Sequence, residues 1–485
     1  MPLVAGIDSS TQSTKVELRD VATGEVVGTG KSPHPTTTPP LSEQDPGVWW
    51  SALVEAMGQA LSSIDRTASS RDVVAIAVAG QQHGLVVLDD DGSLLRPAKL
   101  WNDTQSAPDA SQLLEMLPES QWVERCGSIP VAAFTITKLA WLKRNEPGTF
   151  DKVAHVLLPH DWLNFTLTGN YVTDRGDASG TGYWSPKENA YRLDLLALVD
   201  GDKEWEPVLP QVHGPWEMAG VLNEKAATQL GLLAGTPVAI GTGDNMAGAL
   251  GVGLQRGDVV ISIGTSGTVY ASSETSTADE SGAVAGFADA TGVFLPLVCT
   301  LNATVVTDSI GRLLSLDHNG LDELAFSAPS GSGGLTLVPY FAGERTPNRP
   351  YATGEIRGMR TDVSRETLAR SAFEGVVCGL LDGLDALSAA GVATQNGRLL
   401  LIGGGAASKT YRSVLASLSG RTVTVPSETE IVSAGAAVQA AVLATRSNVD
   451  EISRAWGLGE GTQVDPASSN ESAQEIRERY AVARG

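Results

Sequence analysis

Several short runs of small and polar residues in this sequence carry groups suited to phosphate and hydroxyl chemistry. Asp8-Ser9-Ser10-Thr11-Gln12-Ser13-Thr14-Lys15 offers backbone N–H groups, hydroxyls and one ammonium, the groups that bind a polyphosphate. Asp8 is the odd member. A carboxylate beside a phosphate site makes sense where a divalent cation such as Mg²⁺ lies between the two, directly or through water, so Asp8 is the candidate metal-organising residue. Gly264-Thr265-Ser266-Gly267 forms a second small-residue tip about half a chain later. A single Ser/Thr-rich turn often does no more than satisfy its own backbone. Two tips facing one cleft would grip one phosphate chain from both sides.

Gly241-Thr242-Gly243-Asp244-Asn245 follows an apolar run, so a tight turn there projects the Asp244 carboxylate into a cleft. Phosphoryl transfer to an alcohol needs a positioned base for the hydroxyl proton, and the rest is placement and charge stabilisation. Asp-Asn pairs also occur in turns for structural reasons alone. Gly403-Gly404-Gly405-Ala406-Ala407-Ser408-Lys409-Thr410 nearly reads as a P-loop, but Ser408 stands where the second glycine belongs. The run instead predicts a backbone that passes close to a flat ligand such as adenosine. Gly80-Gln81-Gln82-His83-Gly84 and Trp101-Asn102-Asp103 each follow a strand-like run. Gln82, His83, Asn102, Asp103 and Asn245 suit sugar hydroxyls, and Trp101 offers a face for sugar C–H groups. A loop histidine is otherwise commonly just solvated.

These runs need elements to hold them. Residues 4–20 and 259–274 both read as a β-rich run, a small-residue turn and a second β-rich run, which is the pattern of a hairpin. One hairpin per domain, in two related domains, is the economical explanation. Asp45 to Ile64 reads as a helix opening after Pro46, with Trp49, Trp50, Leu53, Ala56 and Met57 on one face. Residues 72–92 read as strand, polar loop and strand closed by Asp91-Gly92. Residues 236–254 and 397–420 both read as strand, Gly-rich turn and helix. Residues 433–444 form a helix of small residues able to pack very close to a neighbour. The chain from about 446 is polar, with a helix around 473–483. Alternating strands and helices imply an α/β fold, with ligands at the carboxyl ends of the strands. The expected division is 1–245, 246–445 and a tail, 446–485.

The chain has 485 residues, 42% hydrophobic and 19% charged, with a net charge of −22. That length exceeds one compact core. The acidic balance argues against nucleic acid or an anionic membrane as partner. Three scattered cysteines fit a reducing compartment. With no signal-like amino terminus and no apolar run of spanning length, the expectation is a cytoplasmic protein acting on small molecules.

In order along the chain, GIDSSTQSTK, GQQHG, LWND, FTITKLAWL, LPHDWLNFTLTG, TDRGDASGT, GTGDNMAGALG, SIGTSG, PYFAGERTPNRP, GGGAASKTYRSVL and SAGAAVQAAVLA together resemble the FGGY carbohydrate kinases. The resemblance covers roughly residues 3–445. It implies two actin-like ATPase (ribonuclease H-like) domains flanking a deep cleft, with the sugar deep inside and ATP mainly on the second domain. It implies Asp244 as catalytic base, Asp8 organising Mg²⁺ and phosphates, and Gln82 and His83 holding the sugar. Thr11, Gln12, Lys15, Thr265 and Gly405 match positions near the nucleotide in such kinases; Asp308, Arg312 and Lys409 are further matches, and Gly404 shares the same turn. The implied reaction is phosphorylation of a pentulose, D-xylulose first, the alternatives being another ketopentose, an alditol, or a non-catalytic sugar/ATP-binding regulator. A homodimer is compatible with the resemblance. This chain departs from common family residues at Gln82 (often Met), His160 (often Lys) and Ala407 (often Arg), and CTLNATVV lacks a histidine often found there.

Overall fold

The computed structural model describes residues 1–64, 69–467 and 471–485. Two mixed sheets organise it, each of seven strands among the described residues. The first contains β1 (Leu3–Ser9), β2 (Ser13–Asp20), β3 (Val26–Pro33), β4 (Val73–Gly80), β5 (Met218–Val221), β6 (Pro237–Ala239) and β7 (Thr242–Gly243). Its order is β5-β6-β4-β1-β2-β3, with β7 also paired to β4. The second contains β8 (Val259–Ile263), β9 (Gly267–Ala271), β10 (Ala285–Ala288), β11 (Phe294–Thr300), β12 (Leu399–Ile402), β13 (Val423–Pro426) and β14 (Gly461–Val464), in the order β10-β11-β9-β8-β12-β13-β14. The strands β1, β4, β8 and β12 are buried on both faces, or nearly so, which accounts for their unbroken apolar runs.

The sheets match each other in plan. An antiparallel hairpin, β1–β2 or β8–β9, lies beside a parallel strand, β4 or β12. Both hairpins expected from the sequence are present, and each domain surrounds its own apolar core. This is the two-domain α/β architecture anticipated above.

Helix α1 (Pro46–Ser62) opens at Asp45, whose side chain accepts from Gly47 N. Its buried stripe is Trp49, Ala52, Leu53, Ala56, Met57 and Ala60, at helical spacing. Trp50 lies at the edge of this stripe: it is half-buried, packs against the same core and donates from Nε1 to Gln229 Oε1 (2.9 Å). Further along the chain come α2 (Pro159–Thr168), α3 (Asp244–Gly251), α4 (Lys409–Ser419), α5 (Ile431–Thr445) and α6 (Ala473–Arg484). Of the polar tail, residues 468–470 lie outside the described residues.

Helix α5 is buried on nearly all sides from Ser433 to Val442. It packs between α3 and the alanine-rich face of the first sheet, so its small residues serve contact with other elements of the chain. A Cβ on Gly435 would stand 1.8 Å from Ala247 O, and one on Gly251 would stand 1.9 Å from Ile431 O. The two helices therefore touch backbone to backbone, and α3 carries Asp244.

Candidate active site

The register of the first hairpin sets Asp8 opposite Lys15. Lys15 Nζ lies 3.5 Å from Asp8 Oδ2 and 2.6 Å from Glu430 Oε2. Asp8 is 4% exposed. Burial raises its pKa to about 6, against the lowering effect of Lys15. Its Oδ1 has no hydrogen-bond partner.

Parallel pairing of β4 with β1 ends at Ser9 and Gly80, so the chain leaving β4 delivers Gln81, Gln82 and His83 beside the hairpin tip. His83 has a left-handed backbone (φ 66°), a region that non-glycine residues seldom occupy. Its Nδ1 is 2.8 Å from Gly180 O, so the proton sits on Nδ1 and Nε2 keeps a lone pair. The ring packs against Phe134 and Phe287. Burial first, then the charges of Lys138 and Arg345, lower its pKa to about 3, and the imidazole is neutral.

Gly241 (φ 74°) makes the turn after β6 where a Cβ would stand 2.2 Å from Val78 O. The strand β7 then pairs with Ala79 and Gly80, and α3 begins at Asp244. Burial, then the negative charges of Asp8 and Asp177, raise the Asp244 pKa to about 7. Asn245 Nδ2 donates to Gln82 Oε1 (2.9 Å) and to Asp244 Oδ1 (3.0 Å). This orients the Gln82 amide with its carbonyl toward Asn245. Asp8, Lys15, Asp244, Asn245, Tyr270 and Glu430 line one cavity of 270 Å³. Three carboxylates there face one ammonium, an imbalance that suits a cation.

A second cavity, 550 Å³, lies between the tip of the second hairpin and the turn after β12. Gly264, Thr265, Asp308, Gly404 and Gly405 line it, with Leu321, Phe373 and Tyr411 as an apolar wall. Gly404 is open: no atom lies within 4 Å of where its Cβ would be. Gly405 is glycine for another reason, since a Cβ there would come within 2.4 Å of Ile263 Cγ2. The turn is tight because β8 lies beneath it. Nor is the start of α4 a P-loop. Asp322 already accepts from Ser408 Oγ (2.5 Å), Thr410 N (3.0 Å) and Lys409 N (3.2 Å), so a carboxylate occupies the place of an anion.

Other expected residues are placed differently. Lys409 Nζ lies 5.1 Å from the centre of the Phe326 ring, and Lys409 is not among the residues that line the 550 Å³ cavity. Asp103 is fully buried and accepts from Ser42 N (2.9 Å) and Gln105 N (3.1 Å), with Lys99 Nζ at 3.3 Å. Its carboxylate holds its own loop together. Asn102 keeps a buried, unpartnered Oδ1. Trp101 Nε1 donates to Thr11 Oγ1 (2.9 Å), and Thr11 Oγ1 donates to Gln81 Oε1 (3.0 Å), which joins the Trp101 loop to the first hairpin tip. Gln12 and Thr265 are exposed at their tips. Asp308 Oδ1 lies 3.2 Å from His318 Nδ1, and Arg312 donates to Ser309 Oγ.

Glu430 was not singled out by its sequence context. It pairs with a lysine 415 positions away, and only its place just before the small-residue helix could have drawn notice. Asp177 likewise sits in a short motif of otherwise local purpose.

The fold and this cleft are those of actin-like phosphotransferases, and the chain belongs to the FGGY family of carbohydrate kinases: its N-terminal domain model matches residues 3–251 and its C-terminal domain model residues 259–444. The xylulose kinase of Streptomyces coelicolor is 44% identical over 472 residues, spanning 97% of this chain and 94% of that relative. The xylulose kinase of Escherichia coli is 35% identical over 426 residues, 86% of this chain and 84% of the relative. The crystal structure of xylulose kinase from Bifidobacterium adolescentis superposes with a TM-score of 0.85 at 41% identity, covering 100% of this chain and 99% of the other. No helix among the described residues is long and apolar enough to cross a membrane.

Proposed function

We propose that the protein phosphorylates D-xylulose to D-xylulose 5-phosphate with ATP, and that Asp244 is the general base. The observation that carries this is Asp244 itself: a carboxylate with pKa raised to about 7, lining a small cavity beside Asp8 and Lys15 and tied through Asn245 to Gln82. A base poised near neutral pH balances proton affinity against availability. The names of the full-length relatives supply the sugar.

On this reading the sugar lies against Gln82, His83, Asn102, Asn245 and Trp101. His83 Nε2 accepts from one hydroxyl, and Gln82 Nε2, buried without a partner, donates to another. An unpaired buried amide costs about 1–3 kcal/mol, which the correct hydroxyl recovers and a wrong epimer does not. Residues 1–245 form the sugar-binding part and 246–445 the nucleotide-binding part, with adenosine in the 550 Å³ cavity near Thr265, Gly404 and Gly405. The phosphates run toward Thr11, Gln12 and Lys15. Asp244 takes the proton from the terminal hydroxyl as that oxygen bonds to the γ-phosphorus. The bond from the γ-phosphorus to the β–γ bridging oxygen breaks, and its electron pair leaves on ADP. Lys15 moves from Glu430 to phosphate oxygen. Mg²⁺ would be held by Asp8, whose Oδ1 is free, and when bound it neutralises phosphate charge.

The test is initial rates of ADP formation with D-xylulose, D-ribulose, L-ribulose, xylitol and glycerol. A kcat/KM for D-xylulose at least about tenfold above the others, roughly 1.4 kcal/mol in transition-state binding, is expected. A flat profile, or a preference for another member of the panel, rejects the substrate assignment.

A further inference from the structure

Beneath the wall formed by Gln82, His83 and Asp244 lies a buried charge cluster that the reaction as described does not use. His160, in the first turn of α2, is fully buried. Its Nδ1 lies 2.8 Å from Asp177 Oδ2 and 3.1 Å from Asp161 Oδ1, and its Nε2 lies 3.9 Å from Asp174 Oδ1. Three carboxylates outweigh the desolvation of the ring and raise its pKa to about 10, which favours the imidazolium.

Two of the carboxylates have local work. Asp174 accepts from Gly176 N, Asp177 N and Thr242 Oγ1, which ties the turn after it to β7. Asp161 accepts from Leu158 N and caps α2. Asp177 differs. One oxygen faces His160, and the other, Oδ1, is buried without a partner. Burial pushes the Asp177 carboxyl above its ordinary range, and the hydrogen bond and charge of His160, then the Gln82 side chain against it, oppose that rise; Gln82 Nε2 nonetheless lacks an aligned partner.

We propose that His160 and Asp177 are positioning residues that fix the Gln82 amide for the sugar. A carboxylate can only accept. An anionic Asp177 on one side of the amide and the Asn245 donor on the other leave Gln82 a single orientation, NH₂ toward Asp177 and carbonyl toward Asn245. The second N–H then points to the substrate. Burial alone would push Asp177 to take up a proton and become a donor itself, making the two amide orientations nearly equal. The hydrogen bond and charge of His160 oppose that and favour the ionised form.

This rests on the reading of Gln82 as a D-xylulose ligand, so wild-type turnover of D-xylulose is measured first. Its absence overturns both readings. With turnover present, Asp177→Asn and His160→Gln are expected to raise the KM for D-xylulose about tenfold, the loss of one well-placed hydrogen bond, with the KM for ATP changed by less than about twofold. His160→Lys, which restores a buried cation, is expected to recover most of the loss. In a Gln82→Met background the same substitutions should change the sugar KM by less than about twofold, because residues acting through one partner are not additive. Asp177→Asn keeps size and shape and decides the matter should His160→Gln not fold. Sugar KM unchanged in Asp177→Asn, or the same rise with Met at position 82, overturns this inference alone.

Discussion

Replacing Asp244 with Asn removes the proposed base while keeping its shape. A positioned base contributes about 10²–10⁴-fold, or about 3–5 kcal/mol of barrier, so kcat at about pH 8 should fall by that factor. The wild-type pH profile of kcat/KM, which reports the free enzyme, follows from a pKa of about 7. At about pH 8 roughly nine-tenths of the enzyme holds Asp244 ionised and competent, and below pH 7 the rate should fall about tenfold per pH unit. The variant should lose that acid limb together with its rate. Stability should move the other way. The Asp244 pKa is raised in the folded state, so the ionised side chain opposes folding above about pH 7. Removing its charge should therefore leave Tm at pH 8 unchanged or higher. The assay is ADP release with D-xylulose and Mg-ATP, saturating for kcat and with D-xylulose below its KM for the pH profile, paired with thermal unfolding. A kcat within tenfold of wild type in a folded variant would refute the role given to Asp244. A sharp fall in Tm would refute the electrostatic account of its surroundings.

Two further outcomes follow from packing and charge. Gly435→Ala puts a methyl 1.8 Å from Ala247 O, with backbone on both sides unable to yield. Overpacking of this kind costs about 1–3 kcal/mol or more, and because α3 carries Asp244, kcat should fall along with the denaturant midpoint; an unchanged midpoint would reject the contact. His83 is held neutral with a pKa of about 3, below its ordinary 6.5. The unfolded chain therefore takes up a proton that the folded chain refuses, and stability should fall as pH drops from about 6.5 toward 3. His83→Gln should show a weaker fall over that window, measured by urea unfolding across pH, and an identical slope would reject the assignment.

Local pattern was enough for much of the scaffold. Both hairpins, α1, the strand-turn-helix units and the small-residue helix are legible because strand and helix periodicity and turn chemistry act over a few residues. The turn at Gly241 and the carboxylate that follows it were visible for the same reason. Where a long side chain goes, and which distant group it meets, was not. Lys409 is in the expected turn, yet its ammonium lies 5.1 Å from the Phe326 ring centre. Asp103 reads as a sugar ligand, and the folded loop closes on it from Ser42 and Gln105.

The sequence alone determines that this is a two-domain α/β carbohydrate kinase of the FGGY family, through motifs whose order and chemistry are local. The tertiary structure alone decides which charges meet: Lys15 with Glu430, and His160 with three aspartates. Coulomb energies and desolvation depend on separation in space and on burial, and neither is written in the spacing of residues along the chain.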